Sequence, residues 1–143
     1  MIIAINPTAP VDMSCVRSLL AASDLPIDDI DDPMIALFGA FVGPSIVGVI
    51  GLQACGDLGL LRSLAVAAEH RGRGIARVLC VHVIEQARVR PMTSLWLLTT
   101  SARDYFARYA FEAVPRDQAP DAIRATAQFA SLCPSSACVM RRR

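Results

Sequence analysis

Two glycines and two arginines form the chemically most suggestive stretch of the chain, Arg71-Gly72-Arg73-Gly74. The stretch follows an apolar run at 60–66 that predicts a buried strand, and it precedes a predicted helix over 75–88. Glycines at this place allow a tight turn and let successive N–H groups point outward. A helix start also leaves four N–H groups unpaired and carries partial positive charge. The stretch therefore predicts a pocket for an anion such as a phosphate.

Familiar nucleotide-binding loops fit this stretch poorly. A Walker-type loop requires Gly-Lys followed by Ser or Thr, and the chain contains no lysine. A dinucleotide fingerprint requires a third glycine at the position that Arg77 occupies here. What the chain does contain is Arg71-x-x-Gly74-x-Ala76 directly after a strand that ends Leu64-Ala65-Val66. This combination resembles the acetyl-CoA motif of the GNAT superfamily of N-acetyltransferases. The alternative is a plain strand-turn-helix whose glycines serve close packing.

Composition limits the classes of protein that the chain can belong to. With 143 residues and a formal net charge of +1, it predicts one domain over 1–140 with a basic tail at 141–143, and no nucleic-acid partner. Five cysteines without a Cys-x-x-Cys pair predict neither a metal site nor a disulfide framework, and so favour the reducing cytoplasm. We expect no signal peptide, because the N-terminus lacks a basic region and a cleavage site.

One uncharged stretch, at 33–56, is long enough to cross a bilayer. Gly43-Pro44-Ser45 in its middle is typical of a turn, so the stretch predicts a β-hairpin and no membrane partner.

The predicted elements follow one another as strand, helix, hairpin, central strand, motif helix, strand, helix and two strands. A helix over 9–22 is capped by Thr8, and a capping box at Ser101 opens a helix over 102–109. A further helix is predicted over 120–130. This order resembles the GNAT order. It implies an α/β fold with a central mixed sheet of six to seven strands flanked by helices.

The resemblance implies acetyl-CoA as co-substrate and assigns its contacts. Leu64 and Val66 would offer backbone groups to the pantetheine arm, the amides after Arg71 would cradle the pyrophosphate, and Phe106 would lie beside the thiol end. The predicted cofactor-binding residues are Leu64, Ala65, Val66, Arg71, Gly72, Arg73, Gly74, Ile75, Ala76, Arg103 and Phe106.

The same comparison predicts an unusual catalytic centre. The segment 105–111 resembles the late Phe-Tyr-x-x-x-Gly-Phe segment of the family, whose Tyr protonates the leaving thiolate in many members. Phe106 stands at that Tyr position, and Tyr105 is one step, about 100°, away on a helix. The sequence shows no obvious general base for the amine. A water relayed by Gln53, Ser63 or Thr99 is the hypothesis for proton removal.

Arg62 is the one charge inside the central strand. Alternation predicts Leu60, Arg62, Leu64 and Val66 on one face. Because a buried charge is costly without a partner, Arg62 either pairs with a structural acid or binds a substrate carboxylate, and we take the substrate role as the working hypothesis. An acidic loop after the first helix is either a solvated turn or an attractor for a cationic amine; it contains Asp28, Asp29, Asp31 and Asp32.

A closer resemblance concerns the segments 61–66, 123–126 and 132–137, which are similar to the arsenic-resistance-associated acetyltransferases of the second subtype. It implies transfer of acetyl to a primary amine of a small molecule, and an amino-acid-like organoarsenical is a possible acceptor. A homodimer is a possible oligomeric state. Two other hypotheses stay open: a GNAT fold that senses acyl-CoA without turnover, and a thiol-based arsenic-binding protein using Cys133 and Cys138.

Overall fold

A computed structural model describes residues 2–143, and within them seven strands form one mixed sheet in the order β1-β2-β3-β4-β5-β7-β6. The strands are β1 (Ala4–Pro7), β2 (Ile35–Val42), β3 (Ser45–Cys55), β4 (Leu58–Val66), β5 (Leu95–Thr99), β6 (Glu112–Val114) and β7 (Cys138–Arg142). The helices are α1 (Met13–Ala22), α2 (Ile75–Val89), α3 (Arg103–Ala107) and α4 (Asp121–Arg124). The predicted α/β fold with a mixed sheet flanked by helices is confirmed.

The sheet is covered on both faces, and apolar periodicity decides which helix covers which face. α2 buries Ile75, Leu79 and Val83 against one face. α1 buries Val16 and Leu20 against the opposite face, where Val49 and Ala65 also pack; α4 adds Ile123 to a further cluster there with Leu60 and Trp96. Both faces of the central strands are therefore apolar, as expected for strands buried on both sides.

The uncharged stretch forms the predicted hairpin. β2 and β3 pair antiparallel from Ile35 opposite Gln53 to Val42 opposite Ser45, and Gly43 takes the turn at a φ of +58°. Within residues 2–143, no helix combines the length and the apolar character that crossing a bilayer requires.

A β-bulge in β4 changes which side chains share a face. β4 pairs with β3 as Val49–Ala65 and then as Gly51–Arg62, so β4 carries one extra residue between the two pairs. Ser63 lies there at a φ of +60°, in the left-handed region. Leu60 consequently packs on the α4 side, whereas Leu64 and Val66 pack on the α2 side. The prediction that Leu60, Arg62, Leu64 and Val66 share one face was wrong, because strict alternation does not survive a bulge.

The only parallel pairing in the described sheet is short. β4 and β5 pair through Gly59–Leu95 and Leu60–Trp96, and from Leu61 onward no pairing between them is formed. The two strands diverge toward their carboxyl ends, which opens the centre of the sheet between them.

Several predicted boundaries need correction. Thr8 does not cap α1: its N–H donates to the Leu37 carbonyl, a 3₁₀ turn at Pro10–Asp12 follows, and the Asp12 carboxylate accepts the Ala9 N–H. Ser101 does not cap α3, because the Thr99 hydroxyl oxygen accepts the Ala102 N–H instead. In both places a neighbouring strand supplies the competing hydrogen-bond partner.

Two further corrections concern the C-terminal third. The helix predicted over 120–130 divides into α4 and a π-helical turn, Gln128–Leu132, and the Thr126 hydroxyl donates to the Ile123 carbonyl between them. Such a local side-chain bond competes with helix continuation. Arg141 and Arg142, predicted as part of a basic tail, belong to β7 and pair with Trp96 and Leu95.

We expect Ala110→Gly to stabilise the protein. Ala110 follows α3 at a φ of +65°, where a Cβ costs about 1–2 kcal/mol, while glycine adds about 0.4–1 kcal/mol of unfolded-state entropy. The net gain in the free energy of unfolding should be about 0.5–1 kcal/mol, measured by urea denaturation. Ala107→Gly, inside α3, is the control and should instead lose about 1 kcal/mol. Equal losses at the two positions would contradict the left-handed strain.

Candidate functional site

Two clefts meet where β4 and β5 diverge. The motif cleft, about 980 Å³, lies between the end of β4, the start of α2 and α3, and is lined by Val66, Arg71, Gly74 and Tyr105 among others. The inner cleft, about 570 Å³, lies between β4 and β5 and is lined by Arg62, Ser63 and Thr99 among others. Leu64, Ala102 and Tyr105 line both clefts, so the two are adjacent parts of one site.

The start of α2 has the geometry that the glycine pattern predicts. Gly72 and Gly74 have φ values of +77° and +79°, and a Cβ added at either would meet no atom within 4 Å. The first intrahelical bond joins the Val78 N–H to the Gly74 carbonyl at 3.2 Å. The N–H groups of Ile75, Ala76 and Arg77 therefore have no acceptor within the helix, and these residues line the motif cleft.

The motif cleft is positively charged. Its described lining residues include no Asp or Glu, and the basic ones are His70, Arg71, Arg77 and Arg108. Arg71 also donates from Nε to the Val66 carbonyl at 3.2 Å, which joins the turn to the end of β4. Three guanidinium groups and a helix N-terminus around one cleft favour a ligand with several negative charges.

Arg62 is held by three side chains at the floor of the inner cleft. Its side chain is 0% exposed. Nη1 donates to Asp29 Oδ2 at 2.7 Å and to Gln53 Oε1 at 2.9 Å, Nη2 donates to Asp29 Oδ1, and Nε donates to Ser63 Oγ at 3.1 Å. Four of the five guanidinium N–H donors are thus engaged.

This network corrects the substrate hypothesis for Arg62. The bidentate partner is Asp29, whose side chain is 14% exposed, so a carboxylate of the protein occupies the place proposed for a substrate carboxylate. Of the acidic loop, Asp29 binds Arg62, Asp31 pairs with Arg17 at the surface, and Asp32 accepts the Met34 N–H. The loop is therefore attached to the sheet through Asp29, and it also lines the edge of the inner cleft through Asp28.

Of the three predicted relay residues, the structure brings two into the inner cleft. Ser63 and Thr99 line it; the Ser63 oxygen accepts from Arg62 and the Thr99 oxygen accepts from the Ala102 N–H, so each hydroxyl keeps its own proton to donate. Gln53, 7% exposed, does not line the cleft and reaches it only through Arg62.

Phe106 and Tyr105, which are neighbours on α3, lie in different surroundings. Phe106 is 7% exposed and packs edge-on against Phe111, yet it reaches the inner cleft wall. Tyr105 lines both clefts, and its hydroxyl is 2.8 Å from that of Tyr109. Burial, together with this hydrogen bond, raises the pKa of Tyr105, so the phenol stays neutral.

Other predicted cofactor residues fall outside the motif cleft. Arg73 and Arg103 are exposed and do not line it, whereas Arg108, which sequence reasoning missed, does. His70, Arg77 and Tyr109 were missed as well. Helix periodicity could have indicated Arg108 and Tyr109, because they lie three and four residues after Tyr105 and therefore on the same face of the helix predicted over 102–109.

In the inner cleft, sequence reasoning missed Asp24 and Gln128. No local pattern marks them, because each lies in a turn that only the tertiary fold brings to the cleft. Cys133 lines the inner cleft too, and burial raises the pKa of its thiol, against a lowering by Arg62 and Arg116. A thiol with a raised pKa contains less of the thiolate that arsenic binding requires.

The sequence matches the Acetyltransferase (GNAT) family over residues 8–112, which is most of the chain, so the protein belongs to that family. Among curated protein sequences none matches it.

Solved structures share the fold at low identity. N-acetylglutamate synthase from Neisseria gonorrhoeae, complexed with coenzyme A and N-acetyl-glutamate, superposes with a TM-score of 0.82 at 18% identity, over 100% of this chain and 35% of that one. Rv2747 from Mycobacterium tuberculosis, in complex with CoA and NLQ, gives 0.80 at 17%, over 96% and 97%. Nourseothricin acetyltransferase gives 0.69 at 22%, over 99% and 98%. The chain spans about a third of the length of the N-acetylglutamate synthases.

We expect Arg62→Met to cost about 3–5 kcal/mol in the free energy of unfolding, because it leaves the Asp29 carboxylate largely buried without its partner. Denaturant unfolding of the purified variant measures this. Arg17→Met, which breaks the exposed pair with Asp31, is the matched control and should cost less than about 1 kcal/mol. Similar small losses for both variants would show that the Arg62–Asp29 pair is not structural.

Proposed function

We propose that this protein binds acetyl-CoA in the motif cleft and transfers the acetyl group to a primary amine of a small molecule in the inner cleft. The observation that carries the proposal is the unpaired, glycine-framed start of α2 beside Arg71, Arg77 and Arg108, adjoining the cleft that opens between β4 and β5. CoA carries a pyrophosphate at some distance from its thioester, and a basic helix N-terminus next to a narrower cleft suits both ends.

The two clefts divide the cofactor's contacts between them. The N–H groups at the start of α2 would receive the pyrophosphate, and Arg77 and Arg108 would neutralise the remaining phosphate charge. Leu64, Ala65 and Val66 line the motif cleft, where β4 no longer pairs with β5 and backbone groups are available to the pantetheine amides. Two of the structurally similar proteins named above were solved with coenzyme A, which supports this assignment.

In the proposed reaction the neutral amine attacks the thioester carbonyl carbon. A C–N bond forms, the C–S bond breaks, and the electron pair leaves on the CoA sulfur, which takes up the proton that the amine nitrogen loses, directly or through water. Holding the amine and the thioester together in one cleft supplies much of the acceleration. The Ser63 and Thr99 hydroxyls, whose oxygens already accept hydrogen bonds, would orient the water that carries this proton.

The acceptor in this proposal is a primary amine of a small molecule. The resemblance to arsenic-resistance-associated acetyltransferases suggests an amino-acid-like organoarsenical as the acceptor. We also propose that the protein acts in the cytoplasm and forms a homodimer. A GNAT fold that senses acyl-CoA without turnover is the competing hypothesis, and the Phe at position 106 favours it. Release of free CoA on adding an amine panel to protein and acetyl-CoA would support transfer; binding without release would support the sensor.

We expect Gly74→Glu to weaken acetyl-CoA binding about 100-fold or more, because the carboxylate would occupy the proposed pyrophosphate position. Isothermal titration calorimetry measures the Kd. Gly43→Glu is a close control: Gly43 also has a positive φ with open space around its Cβ position, but it lies in the β2–β3 turn. Both variants pay a similar backbone strain, so only a cofactor site at α2 predicts different affinities. Equal affinities in two folded variants would exclude that site.

We expect Tyr105→Phe to lower kcat less than tenfold, whereas loss of a general acid usually costs about 10²-fold or more. The phenol donates to or accepts from Tyr109, and a CoA thiolate is a good leaving group without it. Because the pKa of Tyr105 is raised, the wild-type kcat should also show no fall near the ordinary tyrosine pKa. Steady-state rates across pH, with Tyr109→Phe as control, measure both. A loss near 10²-fold with unchanged CoA binding would make Tyr105 the acid.

A further inference from the structure

The inner cleft carries the opposite charge to the motif cleft. The acidic and basic residues that line it are Asp24, Asp28 and Arg62. Asp24 and Asp28 are exposed at its rim, and within residues 2–143 neither carboxylate forms an ion pair. One end of the combined site therefore presents guanidinium groups and the other presents free carboxylates.

Arg62 does not offset these carboxylates. Its charge is compensated by Asp29 in a bidentate pair, and its side chain has no exposed surface. The pair contributes no net charge to the cleft, so the two rim carboxylates leave the inner cleft negative. An acceptor that carries a carboxylate would meet repulsion at the rim and no free cation at the floor.

A second feature of the same cleft points to a hydrogen-bond donor in the ligand. Gln128 lines the inner cleft and is 4% exposed, and its Oε1 is buried without a hydrogen-bond partner among the described residues. Buried polar atoms without partners are uncommon, because desolvation is not repaid. An ammonium or amine N–H of a bound ligand would satisfy this oxygen.

We propose that the inner cleft selects a polycationic acceptor, an alkyl diamine or polyamine, whose second ammonium group is attracted by Asp24 and Asp28 and donates a hydrogen bond to the Gln128 oxygen. This inference rests on the proposed acetyl transfer and names its substrate class. In the proposed reaction, one amino group of the diamine is neutral and attacks the thioester, while the other is a charged ammonium group that binds the carboxylates. Because the diamine is positively charged and CoA is negatively charged, the two ligands do not compete for the same cleft.

The test compares acceptors that share one carbon chain length. With saturating acetyl-CoA, kcat/KM for putrescine should exceed that for n-butylamine and for γ-aminobutyrate, and the preference should shrink at high ionic strength. The Asp24→Asn/Asp28→Asn double variant should lower kcat/KM for putrescine about tenfold, mainly through KM, and leave n-butylamine nearly unchanged. Asp57→Asn, the same charge change in the exposed β3–β4 turn, should alter neither.

Gln128→Met tests the second feature separately. It removes the unpaired oxygen while keeping the side-chain length, so the melting temperature should not fall, while KM for putrescine should rise about tenfold. A lowered melting temperature with equal losses on all amines would make Gln128 structural and would overturn its role.

Binding separates this inference from the proposed reaction. Titration of putrescine into the CoA-saturated protein needs no turnover, and wild type should bind it about tenfold more tightly than the double variant. Absence of acetylation with this binding difference would overturn acetyl transfer and leave the cation site. Acetylation of all three amines at rates that the Asp variants do not alter, or a preference for γ-aminobutyrate, would overturn the cation site and leave acetyl transfer.

Discussion

The buried pair of Arg62 and Asp29 is the interaction on which the site depends. It joins the loop after α1 to the pair of neighbouring strands β3 and β4, where Arg62 also binds Gln53 and Ser63. A guanidinium with no exposed surface requires these partners, since an unpaired charge there would be costly. With these bonds formed, the loop that contains Asp28 is held against the centre of the sheet, beside the bulge at Ser63.

The bulge and the short parallel pairing together account for the shape of the site. β4 and β5 begin as neighbours at Gly59 and Leu60 and then separate, so the inner cleft lies inside the sheet and is continuous with the motif cleft at the start of α2. The strained backbone at Ser63, with a φ of +60°, lies at the point of separation. Backbone strain at such a place is common in functional sites, where the surrounding structure holds it in position.

Electrostatics divides the site more sharply than its shape does. Basic residues surround the motif cleft and carboxylates border the inner one, although the formal net charge of the whole chain is only +1. Opposite local charges of this kind can orient two ligands that differ in charge and raise their rates of encounter. The proposed binding of acetyl-CoA agrees with the charge of the first cleft. The charge of the second cleft and its unsatisfied Gln128 oxygen are features of this chain, and they favour a cationic ligand there.

The sequence by itself determined the fold class, the hairpin at Gly43 and the open, glycine-framed turn before α2, because each depends on local periodicity or on the conformational freedom of glycine. It could not determine which face Leu64 and Val66 occupy, because one extra residue in a β-bulge reverses every later side chain. It could not choose between a structural and a substrate partner for Arg62, since both need the same buried charge. Asp29 lies 33 residues earlier in the chain, and only the tertiary fold brings the two together. The same holds for Asp24 and Gln128, which line the inner cleft only because packing brings their two turns together.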